Sequence, residues 1–167
     1  MTQGKPICKA ALQRRFGLTE APRTPLLGMV ARLVEQKGID LVGKMAAAVL
    51  EQGVQFVVLG EGDAVYHQIL KDLHARFPER MGVVLGFDES LAHQIEAGAD
   101  IFLMPSLYEP AGLNQLYSLK YGTVPIVRKT GGLADTITDC APETLAAGKA
   151  TGSSWPWRST ASSPRNG

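Results

Sequence analysis

Cysteine is scarce in this chain of 167 residues: Cys8 and Cys140 are the only two, far apart and without C-x-x-C spacing. That excludes a disulfide framework and fits a reduced, intracellular compartment. Excess charge of either sign is missing as well. The chain carries 17 Lys and Arg against 16 acids, a formal net charge of +1, which gives no electrostatic case for nucleic acid or an anionic membrane. No apolar run approaches the roughly 20 residues that a membrane span needs, and no signal peptide is visible. Neither a G-x-G-x-x-G fingerprint nor a Walker A motif occurs. Of the histidines, His67 and His74 stand seven apart on one predicted helix, and His93 stands alone. None has a second ligand at metal spacing, so they read as solvated or packed side chains and no metal is expected. No Ser–His–Asp arrangement can be argued either.

What is present is ordinary for a globular domain: 45% hydrophobic and 20% charged residues, enough for a sizeable core. The length allows one domain, or one and a fragment of another. Cys8, Leu12 and Phe16 recur every four residues before Gly17, which predicts a short amphipathic helix with a glycine end. The basic residues around it (Lys5, Lys9, Arg14, Arg15, Arg23) read as a solvated face. A buried strand follows over residues 25–33, ending in Arg32, Glu35 and Lys37. Gly38 allows a tight turn, and Asp40 is placed to cap a helix with Leu41, Met45 and Val49 on its apolar face. Residues 54–59 form a second strand ending in Gly60-Glu61-Gly62, a weak turn signal. Val65, Ile69, Leu73 and Phe77 mark the next helix. A third strand, 83–85, ends in Gly86-Phe87-Asp88, and Leu91 and Ile95 mark a short helix closed by Gly98.

The stretch that organises the rest is 99–133. Its strand, 101–104, ends at Pro105-Ser106, and a loop with the single acid Glu109 leads through Pro110-Ala111-Gly112 into a helix that stops at Gly122. A fifth strand, 124–127, ends in Lys129-Thr130-Gly131-Gly132. A further helix is expected within 135–144, limited by Pro142. Residues 151–167 are serine-rich and aperiodic, so they are expected to be disordered or weakly docked through Trp155 and Trp157. The organisation is therefore a domain over 1–152 and a tail over 153–167.

Strand and helix alternate with short links, which implies an α/β fold with a mostly parallel, doubly wound sheet covered on both faces. In the common doubly wound order the first and fourth strands are neighbours at the switch point, where ligands bind. Arg32, Lys37 and Glu109 then converge on one crevice. Two cations beside a glycine turn suit a diphosphate, against the plainer reading of a surface ion pair with Glu35. Glu109 can accept hydrogen bonds from sugar hydroxyls, against a plainer role as helix cap. Backbone N–H groups near Gly112 and Leu113 can bind an anion. Phe87 can stack on a nucleobase, although most such aromatics are core.

The segments MVARLVEQKGIDL, LGEGD, LGFDES and AGADIFLMPSLYEPAGLNQLYSLKYGTVPIVRKTGGLADTI resemble the C-terminal half of bacterial and plastid glycogen (starch) synthases, glycosyltransferase family 5. The resemblance covers residues 9–152. It implies a Rossmann-like domain, one half of a GT-B fold. It also implies a hexosyltransferase that moves glucose from ADP-glucose, with retention, to the non-reducing end of an α-1,4-glucan. By that resemblance Arg32 and Lys37 hold the donor diphosphate in place of a metal ion and stabilise the leaving ADP. Glu109 orients and stabilises near the glucosyl ring. Gly112 and Leu113 offer N–H groups to phosphate, Phe87 stacks on adenine, and Thr130 and Gly131 line the donor pocket. No cofactor is implied, and the location is the bacterial cytoplasm or the plastid stroma.

Some positions depart from the family pattern. Ala111 stands where Cys is usual, Leu107 where many members have Arg, and Tyr108 where many have Phe. The N-terminal domain, with its K-x-G-G-L motif and the contacts to the glucan acceptor, is not in this sequence. The serine-rich tail stands where the family continues with strand and helices, which points to truncation or a shifted reading frame. The resemblance thus implies a donor-binding domain that is inactive alone. The alternatives are a non-catalytic nucleotide-sugar or glucan binding module, and the donor domain of a sucrose-type synthase.

Overall fold

The computed structural model describes residues 4–110 and 112–155. Helix α1 (Gly4–Arg15) leads into strand β1 (Leu26–Val30), and a 3-10 turn at Glu35–Lys37 opens α2 (Ile39–Glu51). There follow β2 (Gln55–Gly60), α3 (Ala64–Arg76), β3 (Met81–Leu85), α4 (Glu89–Gly98) and β4 (Ile101–Met104). The described chain finishes with α5 (Asn114–Lys120), β5 (Val124–Arg128), α6 (Gly131–Thr136), α7 (Pro142–Ala146) and β6 (Ser153–Trp155). Among the described residues no helix is long and apolar enough to cross a membrane.

The six strands form one parallel sheet in the order β3-β2-β1-β4-β5-β6. This is the doubly wound order the alternation implied. β1 and β4 pair side by side, Leu27 opposite Ile101 and Gly28 opposite Phe102. The connections run in opposite directions from these two strands, so their carboxyl ends open a crevice. Neighbouring residues on one strand feed separate cores, because successive side chains point to opposite faces. Val58, Phe56, Met29 and Leu103 join the layer under α2 and α3. Val57, Leu59, Phe102 and Val127 join Leu12, Leu91 and Ile95 on the other side. A Cβ on Gly28 would lie 2.6 Å from Ile95 Cγ2, so β1 accepts α4 at this closeness only without a side chain.

Several expectations need correction. The inward stripe of α1 is Lys9, Leu12 and Gln13, while Cys8 is exposed. Lys9 is 6% exposed and is no solvated cation. Its Nζ donates to Thr24 O and to Asp100 Oδ2, both at 2.6 Å, and Asp100 Oδ2 also accepts from Leu26 N at 2.8 Å. These bonds tie α1 to the starts of β1 and β4. Gly38, not Asp40, is the N-cap residue of α2. The helix therefore begins earlier and buries Ile39, Val42, Ala46 and Leu50, with Leu41, Met45 and Val49 at the flanks. On α3 only Leu70 and Leu73 are buried and Val65 is exposed, because this helix lies over the sheet's outer strand β3. The helix expected within 135–144 is two: α6 ends at Thr136, and Pro142 opens α7, where its missing N–H costs nothing. Residues 153–155, read as tail, extend the sheet as β6, with Ser154 N donating to Asp139 Oδ1 at 2.8 Å. Residues 156–167, including Trp157, lie outside the described residues, as does Ala111.

Candidate functional site

The β1–α2 loop and the β4–α5 loop are stitched together along their length. Gly38 sits at φ 70, and a Cβ there would lie 2.3 Å from Pro105 O. Only glycine fits this left-handed, close-packed position. Next to it, Leu107 N donates to Gln36 O at 2.8 Å, and Gln36 Nε2 donates to Tyr108 O at 3.1 Å. The following side chains meet: Lys37 Nζ donates to Glu109 Oε2. Ser106 Oγ also donates to that oxygen, at 3.3 Å. The two side chains are 17% and 12% exposed. Lys37 therefore forms an inward pair across the switch point, not a surface pair with Glu35. Glu109 is no helix cap either, since α5 begins at Asn114. The helix start expected near Pro110 is displaced because the loop is held by the Gln36 and Gly131 contacts.

Gly131 and Thr130 support this loop from behind. Gly131 has φ 46, and its Cβ would lie 2.3 Å from Glu109 O. Gly132 N donates to Glu109 O at 3.0 Å, and Thr130 Oγ1 donates to Leu107 O at 3.3 Å. Neither Thr130 nor Gly131 is among the residues lining the two clefts described next. Gly112 and Leu113 precede α5 and line the inner cleft with Lys37, Ser106 and Glu109, a space of about 270 Å3. A larger cleft of about 690 Å3 continues past Arg32 and Lys37 to Gly60, Gly62 and Phe87. Lys37 and Asn114 line both, so the two make one continuous crevice. Arg32 is exposed at its side. Phe87 is 87% exposed, which rules out the core reading and leaves its ring available at the mouth.

Sequence reasoning missed part of this wall. Gly60 and Gly62 are more than turn residues. A Cβ on either would lie 2.1 and 2.3 Å from the carbonyl oxygens of Ala31 and Leu33, so the β2 loop runs directly along the β1 loop. Gln36 and Ser106 had no signal beyond their place beside Lys37 and Glu109. His93 and Glu96 both line the larger cleft, with Tyr117 opposite. Burial pushes the Glu96 carboxyl above its usual range, and the contact with His93 opposes that shift. The missed signal was an acid directly after Ile95 on the buried stripe of α4. Among the described residues no three His, Cys, Asp or Glu side chains group as metal ligands would.

Residues 13–150 match the family model described as glycosyl transferases group 1. The chain is 58% identical over 150 residues to a glycogen synthase of Thioalkalivibrio sulfidiphilus, covering 89% of this chain and 31% of that protein. It is 59% identical over 136 residues to a glycogen synthase of Anaeromyxobacter dehalogenans, covering 81% and 28%. The chain thus spans less than a third of the length of these relatives. Among solved structures, the catalytic domain of starch synthase IV from Arabidopsis thaliana, bound to ADP and acarbose, superposes with a TM-score of 0.85. It shares 37% identity, over 93% of this chain and 32% of that one. Anabaena Alr3699/HepE in complex with UDP-glucose gives a TM-score of 0.68 at 17% identity over 90% and 39%, a likeness of fold alone.

Proposed function

The chain belongs to the glycosyl transferases group 1 family, and from that premise we propose that it is the donor-binding domain of an α-1,4-glucan synthase that uses ADP-glucose. The observation that carries this reading is the convergence of Arg32, Lys37 and Glu109 at the junction of β1 and β4. The glycogen synthase relatives and the ADP-bound starch synthase support it. ADP-glucose lies along the crevice with adenine against Phe87, diphosphate between Arg32 and Lys37, and glucose toward Glu109. Backbone N–H groups at Gly112 and Leu113 add to the phosphate contacts, while Thr130 and Gly131 hold the Glu109 loop in place.

In the transfer, the bond between glucose C1 and the β-phosphate oxygen breaks and its electron pair leaves with ADP. Arg32 and Lys37 stabilise that developing charge, in place of a metal ion. Glu109 orients the glucosyl ring and stabilises the positive charge that builds on it. The acceptor, the non-reducing end of an α-1,4-glucan, is brought by the family's N-terminal domain; its 4-hydroxyl oxygen forms the new bond to C1, and the hydroxyl proton goes to the departing phosphate. Without that domain the two substrates are not held in reacting geometry, so the isolated chain binds donor weakly and transfers glucose hardly at all. This reading carries with it a location in the bacterial cytoplasm or, for a plant form, the plastid stroma.

Calorimetric titration with ADP-glucose, and with UDP-glucose for comparison, tests the reading. Saturable binding that prefers ADP-glucose is expected, weakened about tenfold by Arg32→Ala. Unchanged affinity in that variant would remove the phosphate role, and a preference for UDP-glucose would point to a sucrose-type donor domain.

A further inference from the structure

Across the crevice from Lys37 and Glu109, α4 carries an ionisable pair that the proposed reaction does not use. His93 and Glu96 both line the larger cleft. Glu96 is 2% exposed, and its Oε2 lies 3.1 Å from His93 Nδ1. A buried carboxylate is costly to desolvate, and packing at this position would be served better by an apolar side chain. Its presence beside a cleft therefore calls for a use. An ionised carboxylate only accepts hydrogen bonds, so with a neutral imidazole in this pair Nδ1 carries the proton and Nε2 keeps its lone pair. The ring is also held from the other side, where it meets Tyr117 of α5 edge-on, with centroids 6.0 Å apart and planes at 78°. Among the described residues Nε2 has no hydrogen-bond partner, although the side chain is about half exposed. The result is an oriented acceptor on the cleft wall.

The chemistry of that acceptor selects its ligand. Phosphate oxygens are themselves acceptors, and the cations that suit them are Arg32 and Lys37. A hydroxyl donates. With the diphosphate between those cations and the base at Phe87, the part of a nucleotide that passes the middle of the cleft is its ribose. We propose that His93 Nε2 accepts a hydrogen bond from a ribose hydroxyl of the bound nucleoside diphosphate, and that Glu96 is the positioning residue that fixes the tautomer and the ring. This rests on the donor-site reading above.

The test is calorimetric titration of the chain with ADP, 2′-deoxy-ADP and 3′-deoxy-ADP, each sample first shown to be folded by circular dichroism. The chain as it stands should prefer ADP over one of the deoxy analogues by about three- to tenfold. His93→Ala should bind ADP more weakly by a similar factor and bind the analogues no differently from ADP. His93→Phe keeps the ring but has no acceptor, so it decides the matter if the alanine variant does not fold. Glu96→Leu should shrink the discrimination while leaving His93 in place. A purely structural role for the pair would alter unfolding and leave the ratio of ADP to deoxy-ADP affinity unchanged. A His93→Phe variant that discriminates as well as the parent chain overturns the inference alone. A folded parent chain that does not bind ADP at all overturns the donor-site reading with it.

Discussion

Arg32 and Lys37 carry the same charge in different settings, and that separates their expected effects. Arg32 is exposed on the cleft wall, whereas Lys37 is mostly buried against Glu109. Lys37→Met should therefore cost both ADP affinity and stability. Removing the ammonium leaves a largely buried carboxylate with Ser106 as its remaining side-chain partner, worth about 1–3 kcal/mol. Arg32→Ala should lower affinity and leave stability within about 0.5 kcal/mol. Urea unfolding beside calorimetry checks the contrast, and equal stability losses would contradict it. Glu96 gives a prediction in pH. Its folded carboxyl titrates above the ordinary value of 4.5 because burial disfavours the charge. The folded state then binds more protons than the unfolded state between 4.5 and the raised value, so stability falls as pH rises through that window. Glu96→Gln removes that slope. The variant should unfold at a higher temperature than the parent near neutrality and show no advantage at or below pH 4.5. An advantage that is constant with pH would refute the burial argument.

At the scale of elements, what places the site is how closely loops approach, and glycines set that closeness. Gly38→Ala puts a methyl group against Pro105 O at a left-handed φ, so strain and clash add. The expected loss is roughly 2–4 kcal/mol, with ADP affinity falling as the Gln36 and Lys37 turn moves off the β4 loop. Gly53 is a control: its φ is 86, but a Cβ there meets nothing within 4 Å. Gly53→Ala should cost only about 1 kcal/mol and leave ADP binding alone. Similar losses at both positions, read from urea midpoints, would mean that backbone conformation alone matters and the close approach does not. The same closeness explains why Gly60-x-Gly62 read weakly in sequence. Nothing local to that triplet shows that the carbonyls of Ala31 and Leu33 run beside it.

For the whole molecule, the two faces of the sheet are unevenly covered. α2 and α3 lie over β1, β2 and β3, while α4, α5 and α6 occupy the other side. Val124 shares its side of β5 with Ile126, toward the α2 and α3 face, and is 48% exposed. Leu116 and Tyr117 on α5, and Leu113 and Tyr121 at its two ends, are exposed. Apolar surface of this extent favours self-association, so size-exclusion chromatography with light scattering should show mass rising with concentration. A single monomer mass over a hundredfold range of concentration would refute this. The periodicity of the sequence determined most of the architecture: the alternation of strands and helices, the parallel sheet, and the pairing of β1 with β4 that draws Arg32, Lys37 and Glu109 to one crevice. Those features depend on side-chain patterns local to each element and on the few ways such elements can be connected. Tertiary structure alone decided the partners. Lys37 meets Glu109 instead of Glu35, Lys9 is buried on Asp100, Thr130 and Gly131 brace a loop, and His93 and Glu96 face the cleft. The first three join residues from different elements, and the last depends on what packs against α4; hydrogen bonding, desolvation and close packing across such gaps leave little mark on the spacing of residues along the chain.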